Sequence, residues 1–154
     1  MIEYTKNNFK KTILGSRLKY VIFLIFYLII NEALFSQKEG NNWYFGMNAG
    51  LNFNTDPPTA LTNGQLNTWE GCATVSDKNG NILFYTDGQK VYNKTHTVMY
   101  NGTDLYGNFS STQSAIIVPK PGTYNPSLKR YNIYYIFTVD AVESSTYGIC
   151  YSIV

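Results

Sequence analysis

The side chains with the most chemical potential in this sequence are three carboxylates, Glu70, Asp87 and Asp140. Two carboxyl groups held about 5 Å or about 6.5–9.5 Å apart are what glycosidic hydrolysis requires. Asp87 and Asp140 stand at the ends of short apolar runs, where Asp ordinarily bonds its own backbone to form a turn. His96 is the single histidine. Within Lys94-Thr95-His96-Thr97 it reads as an exposed turn residue, with no second His and no metal-ligand spacing to either Cys. Asp77-Lys78-Asn79-Gly80-Asn81 alternates oxygen-bearing side chains as calcium loops do. Its Gly stands fourth rather than sixth, and Gly88 occupies the place of the final carboxylate, so the segment reads as a hairpin turn. No nucleophile elbow and no Gly-rich phosphate loop occurs. The expectation is a chain with no catalytic, cofactor-binding or metal-binding residue.

Binding is the other chemistry on offer. Trp69 and Glu70, with Asp87, form a candidate ligand surface, because an aromatic face beside polar groups stacks on a sugar ring. The competing expectation is that Trp43 and the strand aromatics fill the spaces between sheets. Cys72 and Cys150 lie in strand-like stretches; they can form one disulfide, or remain two separate thiols acting as small hydrophobes. Asn93-Lys94-Thr95, Asn101-Gly102-Thr103 and Asn108-Phe109-Ser110 have the form of glycosylation sequons and read as turn chemistry.

The elements that would carry these residues are strands. After residue 37 no helical period appears; short runs of β-branched and aromatic residues alternate with Gly, Asn, Asp, Pro and Ser. The expected strands are 43–46, 51–53, 73–76, 82–86, 90–93, 115–119, 131–139 and 148–153, with 56–59 and 119–122 as breakers. Asn79-Gly80 supplies the positive φ of a tight hairpin turn. Gly71-Cys72-Ala73-Thr74-Val75, Leu83-Phe84-Tyr85-Thr86-Asp87 and Val91-Tyr92-Asn93 have weak counterparts in Gln113-Ser114-Ala115-Ile116-Ile117, Ile136-Phe137-Thr138-Val139-Asp140 and Cys150-Tyr151-Ser152. Repeats of about 40–50 residues built from short strands indicate propeller blades. The fold expected is all-β, with antiparallel short-strand hairpins forming a partial β-propeller of about two to two and a half blades. The chain reads as the front of a longer one, with Gly148–Val154 an apolar strand.

Charge separates the first residues from the rest. Lys6, Lys10, Lys11, Arg17 and Lys19 are five of the twelve basic residues, and they precede the uncharged run Tyr20–Ile30. A basic region, a short apolar run and a small residue make a secretory signal peptide, expected over 1–36 with cleavage near Ser36/Gln37. The run is shorter than the roughly 20 residues that a spanning helix needs, so no permanent membrane span is expected. Residues 37–154 keep seven basic and eight acidic groups, which gives no basic patch for nucleic acid. Charged residues make up 14% of the chain against roughly 25% in a typical soluble domain. With fourteen Tyr and nine Phe, that composition points to an extracellular β protein.

Asn41-Asn42-Trp43-Tyr44-Phe45-Gly46, Glu70-Gly71-Cys72-Ala73-Thr74-Val75-Ser76-Asp77, Asn79–Gly88 and Asn108–Pro119 together resemble the N-terminal, propeller-like region of large secreted Bacteroidetes proteins. Those proteins carry a gliding-motility-associated C-terminal sorting domain and leave by type IX secretion. The resemblance spans residues 37–154 and implies a structural module for which no catalytic residues are established. It implies a non-catalytic interaction module of an exported, cell-surface protein, linked to gliding motility or adhesion. The alternatives are a carbohydrate-binding module and a fragment of a propeller-type glycoside hydrolase using Glu70 and Asp87. The partners expected are the remaining blades of the same polypeptide, the Sec export machinery, and surface glycans or proteins; no cofactor is expected.

Overall fold

The computed structural model describes residues 18–25, 37–144 and 146–154. The chain divides between Ser36 and Gln37 into two units. In the first, residues 18–25 are helical and exposed. Most of the expected signal peptide, including Ser36 at its cleavage site, lies outside the described residues. Among the described residues no helix is long and apolar enough to cross a membrane.

The second unit is mostly β, in short antiparallel strands. Its first sheet is a meander of β1 (Asn42–Phe45), β2 (Ala49–Asn52) and β3 (Thr59–Leu61). Gly46 and Asn48 take positive φ between β1 and β2, a region open to Gly and tolerated by Asn. Strand β3, not expected from the sequence, begins at Thr59, the last residue of the expected breaker 56–59. Pro58 cannot donate to a ladder, so pairing starts one residue later, at Thr59↔Asn52.

The second sheet is the meander β4 (Ala73–Ser76), β5 (Ile82–Thr86) and β6 (Val91–Asn93). Its first turn is the expected Asn-Gly turn, with Gly80 at φ 85°. Asp77 Oδ1 accepts the backbone N–H of Asn79 and Asn81 at 2.8 and 2.9 Å. The third sheet has the order β11 (Ile149–Ile153), β10 (Tyr134–Val139), β7 (Ala115–Pro119). Between β7 and β10 lies a small hairpin, β8 (Tyr124–Asn125) with β9 (Arg130–Tyr131), so the strand expected over 131–139 starts only at Tyr134.

Register corrects the repeat. Ala73 pairs with Thr86, and Ala115 pairs with Thr138. Matching Ala73 to Ala115 therefore matches Thr86 to Thr138, one residue out of step with the sequence reading, which set Thr86 against Val139.

Strand β1 packs beside β4, and β4 beside β7. The middle sheet is covered on both faces because successive strand residues point opposite ways. Phe84 and Val91 join Ala115, Tyr134 and Ile136 of the third sheet in one core. Tyr85 joins Tyr44 and Leu66 in the other. Trp43, expected to fill such a seam, is instead 54% exposed. Alternation along β1 turns Tyr44 inward and leaves Trp43 on the far face, tilted against Phe53 with its indole N–H on Gly40 O. The outer face of the third sheet shows Ile116, Val118, Phe137, Ile149, Tyr151 and Ile153 to solvent.

Candidate functional site

Asp87 begins the β5–β6 turn, and the structure spends its carboxylate there. The residue is 6% exposed, and Oδ1 accepts the N–H of Gln89 and Lys90 at 2.9 and 2.8 Å. Asp140 behaves alike, accepting from Ala141 N at 2.9 Å and Thr146 N at 3.2 Å. Glu70 is exposed on a loop and accepts from Thr112 Oγ1 at 2.7 Å. Glu70 and Asp87 thus take up different tasks, one facing solvent and one inside a turn.

Trp69 stands beside Glu70 and is 73% exposed. The backbone beneath it is held on both sides. Thr68 N donates to Gly46 O at 3.1 Å, Trp69 N to Phe109 O at 3.0 Å and Gly71 N to Ser111 O at 3.0 Å. Thr68, 1% exposed, sends its hydroxyl to Phe109 O at 3.0 Å. Gly71 has to be glycine: a Cβ there would lie 2.3 Å from Ser114 N and 2.7 Å from Ser111 O, both backbone atoms. The Trp69 and Phe109 rings meet edge to face, with centroids 4.9 Å apart. Phe109 itself is set by an Asx turn, in which Asn108 Oδ1 accepts from Ser110 N at 3.0 Å. The sequence reading missed Phe109 and Thr112 as members of this surface. The signal was present in Asn108-Phe109-Ser110, whose turn chemistry is what places the ring.

A second cluster lies at the seam of the first two sheets. Tyr44 OH donates to Asn63 Oδ1 at 3.0 Å, and Asn63 Nδ2 meets His96 Nε2 at 2.8 Å. An amide nitrogen only donates, so Nε2 accepts and the ring proton sits on Nδ1, which faces Tyr85 OH at 3.1 Å. His96 is therefore a half-buried network member, where the sequence suggested an exposed turn residue. Burial pushes the Tyr85 phenol up to about 12, although the N–H of Gln65 on its oxygen pulls the other way. Burial also raises the Cys72 thiol, with the charge of Asp87 adding to it.

Cys72, just before β4, and Cys150, in β11, are two separate thiols, the second of the two alternatives open in the sequence. Cys72 Sγ donates to Tyr44 O at 3.3 Å. Among the described residues no group of three His, Cys, Asp or Glu could hold a metal ion. A groove of ≈ 690 Å³ runs between β11 and residues 99–106, and among the described residues that line it Asp104 has the one carboxylate side chain. A scan against protein-family models finds no match to this chain, and comparison with curated proteins and with solved structures finds none either.

Proposed function

We propose that residues 37–154 are a non-catalytic interaction module of β-propeller type, belonging to an exported, cell-surface protein that serves adhesion or gliding. The observation that carries the reading is the order β1, β4, β7: the first strand of each meander lies beside the first strand of the next. First strands gathered in sequence order, with sheet faces packed on one another, are what radially arranged blades require. Three meanders support the reading more fully than the two and a half units found in the sequence. Export is supported by the basic segment, by the apolar run after it, and by the division of the chain at Ser36/Gln37.

The carboxylates favour binding over turnover. Asp87, one half of the hydrolytic pair, is nearly buried and its Oδ1 accepts two backbone N–H groups, which favours a turn-forming role over one on a substrate.

The test is expression of the epitope-tagged chain in a gliding Bacteroidetes host, followed by N-terminal sequencing of the recovered protein. Recovery outside the cytoplasm with Gln37 as the first residue is the expected result. The recovered protein should also release no chromophore from a panel of nitrophenyl glycosides. An intact Met1 in the cytoplasm would overturn export, and turnover abolished by Glu70→Gln would overturn the non-catalytic reading.

A further inference from the structure

Two tryptophans are exposed in this chain, and they differ in what they have left to offer. Trp43 has its indole N–H on Gly40 O at 2.7 Å and its ring tilted against Phe53. Trp69 is more exposed, and among the described residues its indole N–H meets no acceptor. Both faces of an indole cost free energy in water, and a residue with nothing to pack on would be expected to fold back. Trp69 is held out instead by its edge-to-face contact with Phe109, on a loop whose backbone is tied at Thr68, Trp69 and Gly71 to Gly46, Phe109 and Ser111. The surface is preorganised, so binding to it does not require a further loop to order.

The chain neighbours of the two rings, Glu70 beside Trp69 and Ser110 beside Phe109, are polar. Glu70 has one carboxylate oxygen on Thr112, and that hydrogen bond fixes the direction of the group. Ser110, next to Phe109, is hydrogen-bonded to a second carboxylate, that of Glu143, at 3.0 Å. An indole with an N–H donor, on a loop that also carries a directed carboxylate acceptor and hydroxyls, has the chemistry to take a pyranose ring. The axial C–H groups of the sugar lie on the indole and its equatorial hydroxyls reach the polar rim. Glu70 and Glu143, hydrogen-bonded to Thr112 and Ser110 of the loop that carries Phe109, repel an anion there, so uronic and sulfated sugars are disfavoured.

The geometry points to Trp69, Phe109, Glu70 and Thr112 as a docking site for a neutral pyranose glycan. The inference rests on the interaction-module reading and names the ligand class of its surface. It also replaces Asp87, in the ligand surface expected from sequence, with Phe109 and Thr112.

The experiment is native affinity electrophoresis of the full chain in gels containing barley β-glucan, yeast mannan or xylan, with alginate as the anionic comparison. The wild type is expected to be retarded in at least one neutral gel and to run freely in alginate. Trp69→Ala weakens the retardation about tenfold or more, as truncation of an anchoring aromatic does, while Trp43→Phe leaves it unchanged. Should Trp69→Ala fail to fold, Trp43→Phe leaves Trp69 as the sole indole, and its emission must shift when an oligosaccharide of the retarding polymer is added. No retardation in any neutral gel, retardation indifferent to Trp69→Ala, a silent Trp69 emission, or stronger retardation in alginate would each overturn the site. A chain exported and cut before Gln37 that binds none of these sugars sinks the glycan site alone and leaves the module reading standing.

Discussion

Tyr44 of β1 and Tyr85 of β5 stack with ring centroids 4.5 Å apart and planes 19° from parallel, closing the seam between the first two sheets. Tyr85 also stacks on Tyr92 at 5.3 Å and meets Gln65 N and His96 through its hydroxyl. One side chain thus provides the apolar filling and the polar tie of that seam.

Truncating it should be costly. Tyr85→Ala is expected to destabilise by about 3–5 kcal/mol, in the range of large aromatic deletions from a core. Tyr85→Phe keeps the stack and leaves the Gln65 N–H short of an acceptor, costing about 1–2 kcal/mol. Urea unfolding of the two variants separates these parts; equal losses would contradict the division.

Alkaline pH attacks the same residue. Its phenol ionises near 10 in an unfolded chain and at about 12 in the fold, so the native state favours the neutral form. The stabilisation is complete below pH 10 and is lost as pH rises from 10 through 12. Phenolate absorbance should show a late-titrating class whose ionisation coincides with unfolding, and Tyr85→Phe should remove part of that class.

Acid works through Asp77. Burial raises its carboxyl, but the side-chain amide of Asn81 and the backbone of Asn81, Asn79 and Gly80 outweigh this and hold it below the usual carboxylate value. The stabilisation is present above the unfolded value and disappears as pH falls through the lowered one. Asp77→Ala should cost about 1–2 kcal/mol at neutral pH, by releasing two turn N–H groups, and should flatten the acid limb of the stability profile.

The thiols predict indifference to redox conditions. Adding reductant should leave the melting temperature unchanged, and thiol titration of the denatured chain should count two free groups. A drop in melting temperature with reductant would show the pair to be bonded.

The third sheet predicts self-association. Tyr134 and Val154 exchange both backbone hydrogen bonds. Alternation along the ladder then turns the N–H and C=O of Ile149, Tyr151 and Ile153 away from β10. Those residues also carry exposed apolar side chains, the combination that templates edge-to-edge pairing. Tyr151→Lys should reduce light scattering at a given concentration and change stability by less than about 0.5 kcal/mol, as a surface substitution.

What the sequence revealed was local. The hairpin at Asp77–Asn81 was legible because Asn-Gly turn chemistry is decided within a few residues. Strand β3 was not, because it is short, exposed and set directly after Pro58, where only its partner β2 identifies it. The one-residue slip in the repeat escaped for a related reason: Thr86 and Thr138 are equivalent through their pairing with Ala73 and Ala115, a relation between strands. Alternation in Asn42-Trp43-Tyr44-Phe45 separated two faces without telling which would be covered. Trp69 was singled out by type, but its brace, Phe109, comes from a loop far along the chain.

Phe84 and Tyr85 are neighbours in β5 that serve opposite interfaces, so the middle strand is inspected from both sides at once. A shift of one position would offer the Tyr85 phenol to the space shaped by Ala115 and Ile136 and Thr86 to Gln65 and His96, or, in the other direction, Leu83 to the first and the bare Phe84 ring to the second. Neither neighbour could compensate for the other's loss. Misthreading at this strand is thus penalised twice, so a chain of weakly distinct repeats retains a built-in check on its own alignment.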